Sequence, residues 1–297
     1  MSEDLYLITG ATGKTGAHTV RLLREKGLPV RALVHADDER SRQLADLGAQ
    51  VVVADLLDFA AVSSAMAGVT AAYFCYPIDP GRLLEATTIF AQAGSEAGVG
   101  AVVNMSQISA RREAKSHAAQ QHWLGERLLD RTALITTHLK PTFFADWLTT
   151  FGSRQDGQWV LRLPFDNARH APIVAADQAR VIAAILTNPA PHGRQSYPLY
   201  GPVELDHYEI AAKMSATLGS PVRYEPVEIA AFAEALEARG RSAFLVQHLS
   251  HVAQDYRDGI FSGTNNLVEV ISGTPATTVE KFTAANRAVF ERDGSLD

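Results

Sequence analysis

The sequence predicts an α/β chain: a Rossmann-type doubly wound parallel sheet followed by a smaller, mostly helical C-terminal substrate domain. Two observations predict the sheet. Short apolar runs alternate with segments of helical periodicity as far as Leu139, and a glycine-rich turn joins the first run to the first helix. A third predicts the second lobe: from Leu205 onward helical patterns dominate. Strands that strictly alternate with helices form a parallel sheet covered on both faces.

In order, Leu5 to Thr9 is an apolar run ending in glycine, and Lys14 to Lys26 carries Ala17, Val20, Leu22 and Leu23 at helical spacing. That is a strand, a turn and a helix. Strands follow at Pro29 to Val34, Gln50 to Ala54, Ala71 to Cys75, Ala101 to Met105 and Leu134 to Leu139. Helices separate them at Arg40 to Leu47, Phe59 to Met66, Gly81 to Ala97 and Ser116 to Arg131. Aromatic residues then crowd Phe143 to Phe165, before a helix at Ala175 to Leu186 and a strand near Tyr197 to Tyr200. The remaining helices are Leu205 to Leu218, Ile229 to Ala238, Ser242 to Asp255 and Val279 to Phe290. This assigns 1–150 and 171–202 to a dinucleotide-binding domain, and 151–170 and 203–297 to a substrate or cap domain.

Composition narrows the class. The 297 residues make about two domains or one elaborated one. At 46% hydrophobic and 20% charged, with 21 Gly and 13 Pro, the chain is globular rather than low-complexity. Net charge is −6 with no run of like charge, which argues against nucleic acid as a partner. Cys75 is the sole cysteine, so no intrachain disulfide and no cysteine-rich zinc site is expected. Met1-Ser2-Glu3-Asp4 lacks the layout of a secretion signal, and no run approaches the ~18 apolar residues of a membrane span. The expected address is the cytoplasm, with no membrane partner; a homodimer stays open as an assembly.

Gly10-Ala11-Thr12-Gly13-Lys14-Thr15-Gly16 occupies the strand-to-helix turn with glycines three apart. Such glycines permit a tight turn and close approach of a pyrophosphate, and the helix N-terminus favours its charge. The strand–turn–helix setting favours dinucleotide binding over a turn that binds nothing. An acid at the end of the second strand would hold a ribose 2′-OH. His35 stands there instead, with Lys14 and Arg40 as further donors, so NADP (as NADPH) is preferred over NAD. Asp37 and Asp38 argue the other way, and Lys14 also reads as a solvated lysine. Asp55, with Leu56, reads either as an adenine contact or as a helix cap.

Thr9 to Gly16, Val30 to Val34, Val103-Asn104-Met105-Ser106, Glu126 to Leu129, Lys140 to Phe144, and Ala171-Pro172-Ile173 with Asp177 resemble the NmrA-like branch of atypical short-chain dehydrogenases/reductases. That branch includes a type of NAD(P)H:quinone oxidoreductase, and it mixes reductases with dinucleotide-sensing regulators. The resemblance implies pyrophosphate contact from Thr12, Gly13, Lys14, Thr15 and Gly16, and 2′-phosphate contact near Lys14 and His35, where the family usually has arginine. It implies adenine contact from Asp55 and Leu56, and ribose and nicotinamide contact from Cys75, Tyr76, Pro77, Met105 and Ser106. Pro141 to Phe143 would lie near the amide.

None of the eight tyrosines has a lysine four residues on, so the tyrosine–lysine proton relay of many short-chain reductases is missing. Two chemistries remain. A quinone or other conjugated acceptor would need mainly orientation and hydrogen bonding from Ser106, with His122 as a contact; or His122 or His117 is itself the general acid. His122 also reads as a helical partner of Glu126 four residues on, and Ser106 as a hydroxyl bonded to backbone. Phe143, Phe144, Trp147, Phe151, Trp159 and Phe165 are either walls for a flat substrate or packing between the lobes. His248 and His251 lack further metal-ligand partners, there is no Gly-x-Ser-x-Gly, and the sequon at Asn104 falls in an expected buried strand. The expected function is NADPH-dependent hydride transfer to a small apolar or aromatic conjugated carbonyl or quinone bound between the lobes. The alternative is a non-catalytic NAD(P) redox sensor.

Overall fold

Tyr6, Leu7 and Ile8 form the first strand, β1, and all three are buried. A strand enclosed on both sides is what an uninterrupted apolar run specifies. In the computed structural model, which describes residues 4–79 and 81–292, β1 is followed by an unbroken alternation. It runs α1 (Lys14–Glu25), β2 (Val30–Val34), α2 (Glu39–Asp46), β3 (Gln50–Val53), α3 (Phe59–Met66), β4 (Ala71–Phe74), α4 (Leu83–Glu96), β5 (Ala101–Met105), α5 (His117–Leu129) and β6 (Ile135–Pro141). Met1 to Glu3, read above for a signal, and 293–297, assigned above to the cap, lie outside the described residues.

The seven-stranded sheet has the order β3-β2-β1-β4-β5-β6, with β9 (Ser196–Leu199) at its far edge. Every pair from β3 to β6 is parallel. Chain order reverses between β1 and β4, and in open α/β sheets ligands sit at the carboxyl ends of the strands at such a switch point. Leu7, Leu33, Phe74 and Val102 from the strands share one core with Met66 of α3, Phe90 of α4 and Leu129 of α5. The Phe74 and Phe90 rings lie 4.4 Å apart, and each buried ring contributes about 1.5–3 kcal/mol. Side chains cap the connecting helices: Asp38 and Ser41 form a capping box on α2, and Asp58 accepts from Ala60 and Ala61 on α3.

Two compact units emerge. The first comprises Met1–Ala114, Ala118–Lys140 and Gln178–Pro198; the second comprises Lys115–His117, Pro141–Asp177 and Leu199–Asp297. The sequence-based boundaries placed 115–117, 141–150, 171–177 and 199–202 in the dinucleotide half, whereas here they belong to the second unit. The reason is contact with later residues of that unit: His117 N–H bonds Gln247, the Phe143 ring meets Phe165, His207 and Tyr256, Asp177 accepts from Thr277, and the Gly201 carbonyl accepts from Thr264.

The second unit also contains a sheet that the expectation of a mostly helical cap lacks. β7 (Gly152–Gln155) and β8 (Gln158–Leu163) form an antiparallel hairpin, and β10 (Val222–Pro226) pairs parallel with β8. Asp156 and Gly157 turn the hairpin with φ of 48° and 76°, two left-handed residues in succession as a type I′ turn requires. Between β8 and β10 come α6 (Ala175–Thr187) and α7 (His207–Leu218). After β10 come α8 (Ile229–Ala238), α9 (Ala243–Arg257), α10 (Leu267–Ser272), α11 (Val279–Ala285) and α12 (Arg287–Phe290), so the expected last helix is broken at Asn286. Among the described residues, no helix is long and apolar enough to cross a membrane.

Candidate functional site

The turn after β1 is built for close backbone approach. Gly10 has φ +56°, and Gly13 N–H donates to the Gly10 carbonyl at 2.9 Å. A Cβ on Gly16 would sit 2.2 Å from the Gly10 carbonyl oxygen and 2.9 Å from the Ala11 Cα, so no other residue fits without moving backbone. Gly13 is the N-cap of α1, with no side chain capping it and no acid in the first turn. A helix start left without a carboxylate or hydroxyl acceptor suits an external anion. Thr15 is buried, its hydroxyl 2.8 Å from the Tyr73 hydroxyl, while Thr9 Oγ1 accepts from Cys75 N–H at 2.8 Å. These bonds tie the turn to the end of β4. Thr12 is half-buried and Lys14 exposed.

On the adenine side expected from strand order, His35 is exposed beyond β2. Asp38 is engaged as the α2 cap and by Arg40, whose guanidinium reaches its carboxylate at 2.5 Å, and Asp37 pairs with Arg42 at 3.5 Å. The Arg40 partner and the Ser41 backbone hold Asp38 below the usual carboxylate range. Thr12, Arg21 and Arg40 share a cleft of about 260 Å³. Arg21 is absent from the sequence-based reading; it stands seven residues after Lys14, the two-turn spacing that keeps it on the same helix face. Asp55 accepts from Leu57 N–H, and the helix cap is Asp58, so the capping alternative for Asp55 falls. The Leu56 side chain belongs to the core, leaving only its backbone for a ligand.

At the ends of β4 and β5 lie Cys75 and Tyr76, both half-buried, Pro77, exposed, and Met105 and Ser106, both buried. Burial pushes the Cys75 thiol up, and burial and then Asp55 push the Tyr76 phenol up. Ser106 Oγ donates to Glu126 Oε1 at 2.5 Å. Glu126 is 1% exposed, and the Lys140 ammonium lies 3.3 Å and the Arg127 guanidinium 3.6 Å from its carboxylate. Lys140 also donates to the Ala110 carbonyl at 2.8 Å. Register explains the meeting: Met105 pairs with Leu139, which puts Ser106 level with Lys140 on neighbouring strands. The backbone alternative for the Ser106 hydroxyl is thus replaced by a buried carboxylate. Glu126 and Lys140 were not read as site residues. Their signal was an acid on the buried stripe of α5, which runs Ala118, His122, Gly125, Glu126 and Leu129. His122 is buried one turn before Glu126.

The other expected site residues belong to the second unit. His117 is exposed, its ring 6.3 Å from Phe244 and its backbone N–H bonded to Gln247. Pro141 and Phe143 are buried, and the Phe143 ring is enclosed by Phe165, His170, His207 and Tyr256 at 5.1–6.2 Å. Phe143, Phe165 and Trp159, the last packed on Phe290 at 5.3 Å, are therefore core of this unit rather than ligand walls. Phe144, Trp147 and Phe151 are half-buried. His248 bonds Ser116 at 2.7 Å, and burial and then His251 lower it to about 4. No cluster that could hold a metal occurs among the described residues. Asn104 is buried with its amide on His138, which leaves no room for a glycan.

The NmrA-like family matches residues 2–279. The chain belongs to that family. An NAD(P)H azoreductase of Xenophilus azovorans is 29% identical over 290 residues, 96% of this chain and 99% of the relative. Among solved structures, the NADPH-dependent quinone oxidoreductase of Escherichia coli in complex with NADPH superposes with a TM-score of 0.80 at 24% identity, covering 94% of this chain and 99% of its own. NmrA, a negative transcriptional regulator bound to NAD, superposes at 0.79 and 15% identity, covering 98% and 96%. The family thus spans NAD(P)H-dependent reductases and regulators, and its structural relatives bind NADPH, NADP(H) or NAD.

Proposed function

We propose that this NmrA-like protein is an NAD(P)H-dependent reductase acting on a small conjugated acceptor, a quinone or an enone-like carbonyl. The observation that carries the reading is the turn at Gly10 to Gly16. It combines a helix start without a side-chain cap and a glycine pressed on the Gly10 carbonyl, a cradle that fits a diphosphate. When bound there, a reduced nicotinamide nucleotide supplies hydride. Gly13 to Gly16 would hold its diphosphate by backbone amides. Arg21, Arg40 and Lys14 favour a 2′-phosphate, hence NADPH over NADH, because Asp37 and Asp38 are already engaged by Arg42, Ser41 and Arg40.

The acceptor class follows from what the strand ends offer. No tyrosine is followed by a lysine four residues on, and the one hydroxyl hydrogen of Ser106 is given to Glu126. An isolated alkoxide would draw no proton from Ser106, whereas the anion of a reduced quinone or enone is delocalised and can take its proton from water. Relatives that match over nearly the whole chain include an NAD(P)H azoreductase and a quinone oxidoreductase, which supports turnover rather than sensing. Steady-state oxidation of NADPH with quinones, enones, azo dyes and simple ketones tests the proposal. Turnover of conjugated acceptors over simple ketones is expected; turnover of none refutes it and leaves a dinucleotide sensor.

A further inference from the structure

We propose that Glu126 and Lys140 are positioning residues that make Ser106 a hydrogen-bond acceptor for the nicotinamide half of the bound dinucleotide. The inference rests on the dinucleotide reading above and adds to it the sense of one hydrogen bond. A serine hydroxyl has one hydrogen and two lone pairs, and a carboxylate only accepts. With Glu126 Oε1 at 2.5 Å, charge-paired to Lys140 at 3.3 Å and Arg127 at 3.6 Å, the hydrogen points at Glu126. What Ser106 Oγ presents elsewhere is a lone pair, strengthened because donation to an anion polarises the hydroxyl.

Its ligand must therefore bring an O–H or N–H. Ser106 directly follows β5, which lies two strands from β1, and strands are spaced by about 4.8 Å. The glycine turn ends β1, and β2 lies on its other side. A dinucleotide with its diphosphate at the turn would place its adenosine ribose at the end of β2, which leaves the β5 side for the nicotinamide nucleoside. The groups that reach Ser106 are then a ribose hydroxyl or the carboxamide N–H of the nicotinamide nucleoside. Ser106 orients the cofactor and donates no proton to substrate. Glu126 and Lys140 act only through it.

The test is calorimetric titration of the full chain with whichever of NADPH and NADH binds more tightly, and with the matching adenosine half, 2′,5′-ADP or ADP. Ser106→Ala should weaken the dinucleotide about three- to tenfold, the effect of one hydrogen bond, and leave the adenosine half unchanged. Ser106→Thr should restore binding. Glu126→Gln places an amide that can donate to Oγ and turn the hydroxyl outward, so it should weaken the dinucleotide similarly. The double variant should bind no more weakly than Ser106→Ala alone. Unchanged dinucleotide affinity in Ser106→Ala, or losses that multiply in the double variant, would overturn the proposal. If Glu126→Gln fails to bind even the adenosine half, the Ala and Thr variants of Ser106 decide. A wild-type chain that binds neither probe refutes the dinucleotide reading itself, a result distinct from loss of the Ser106 effect.

Discussion

Acidification should destabilise the second unit through His207, and the effect can be worked from its surroundings. His207 and His170 are fully buried with ring centroids 4.8 Å apart, and none of their four ring nitrogens has a hydrogen-bond partner among the described residues. Around them stand Phe143, Phe165, Tyr224 and Tyr256. Burial lowers His207 from 6.5 to about 3, and burial and then His207 push His170 well down. The folded state therefore binds fewer protons than the unfolded state below pH 6.5, and stability is lost as pH falls from there toward 3. At pH 5 the unfolded chain lies 1.5 pH units below its histidine value, so His207 alone costs about 2 kcal/mol relative to pH 7. His207→Leu keeps the apolar volume and removes the proton. Urea unfolding followed by tryptophan fluorescence at pH 7 and pH 5 should show the variant losing about 2 kcal/mol less than wild type over that interval. Equal losses in both proteins would refute a buried neutral imidazole at this position.

Other perturbations address the remaining links. Gly16→Ala forces a Cβ to 2.2 Å from the Gly10 carbonyl, so it should cost about 1–3 kcal/mol of stability and abolish measurable dinucleotide binding; thermal melts with and without NADPH would reveal an unharmed variant. Lys14→Ala should weaken NADPH more than NADH, and a titration in which both fall equally would remove Lys14 from the 2′-phosphate reading. Asp177→Ala removes a buried carboxylate that accepts from the Thr277 N–H at 2.5 Å and from its hydroxyl at 2.8 Å; a loss of about 2–3 kcal/mol in urea is expected, and a midpoint unchanged from wild type would contradict it.

The first unit was legible because each of its elements is specified locally. Buried strands read as apolar runs, and the glycine turn declares its own conformation. The β7–β8 hairpin carried an equally local sign, the Asp156-Gly157 pair between alternating residues, but dense aromatic residues on both sides masked it. The Ser106–Glu126–Lys140 cluster was harder to see. Its members are separated by 20 and 14 residues in sequence and meet only through parallel register and the packing of α5. The i,i+4 spacing to His122 draws attention to a partner one turn away, whereas Ser106 and Lys140 reach Glu126 from neighbouring strands. Phe143 and Phe165 looked equally suited to a ligand wall or a core, and only their enclosure by His170, His207 and Tyr256 decides for the core.

If the amides opening α1 hold the diphosphate of a nicotinamide nucleotide, calorimetric titration of the wild-type chain with NADPH, NADP, NADH and NAD, repeated on Gly16→Ala, will show it. Saturable heat is expected at one site per chain with at least one of the four, strongest for NADPH, and none in the glycine variant. No heat from any of them with the wild-type chain, or undiminished heat with Gly16→Ala, would contradict it.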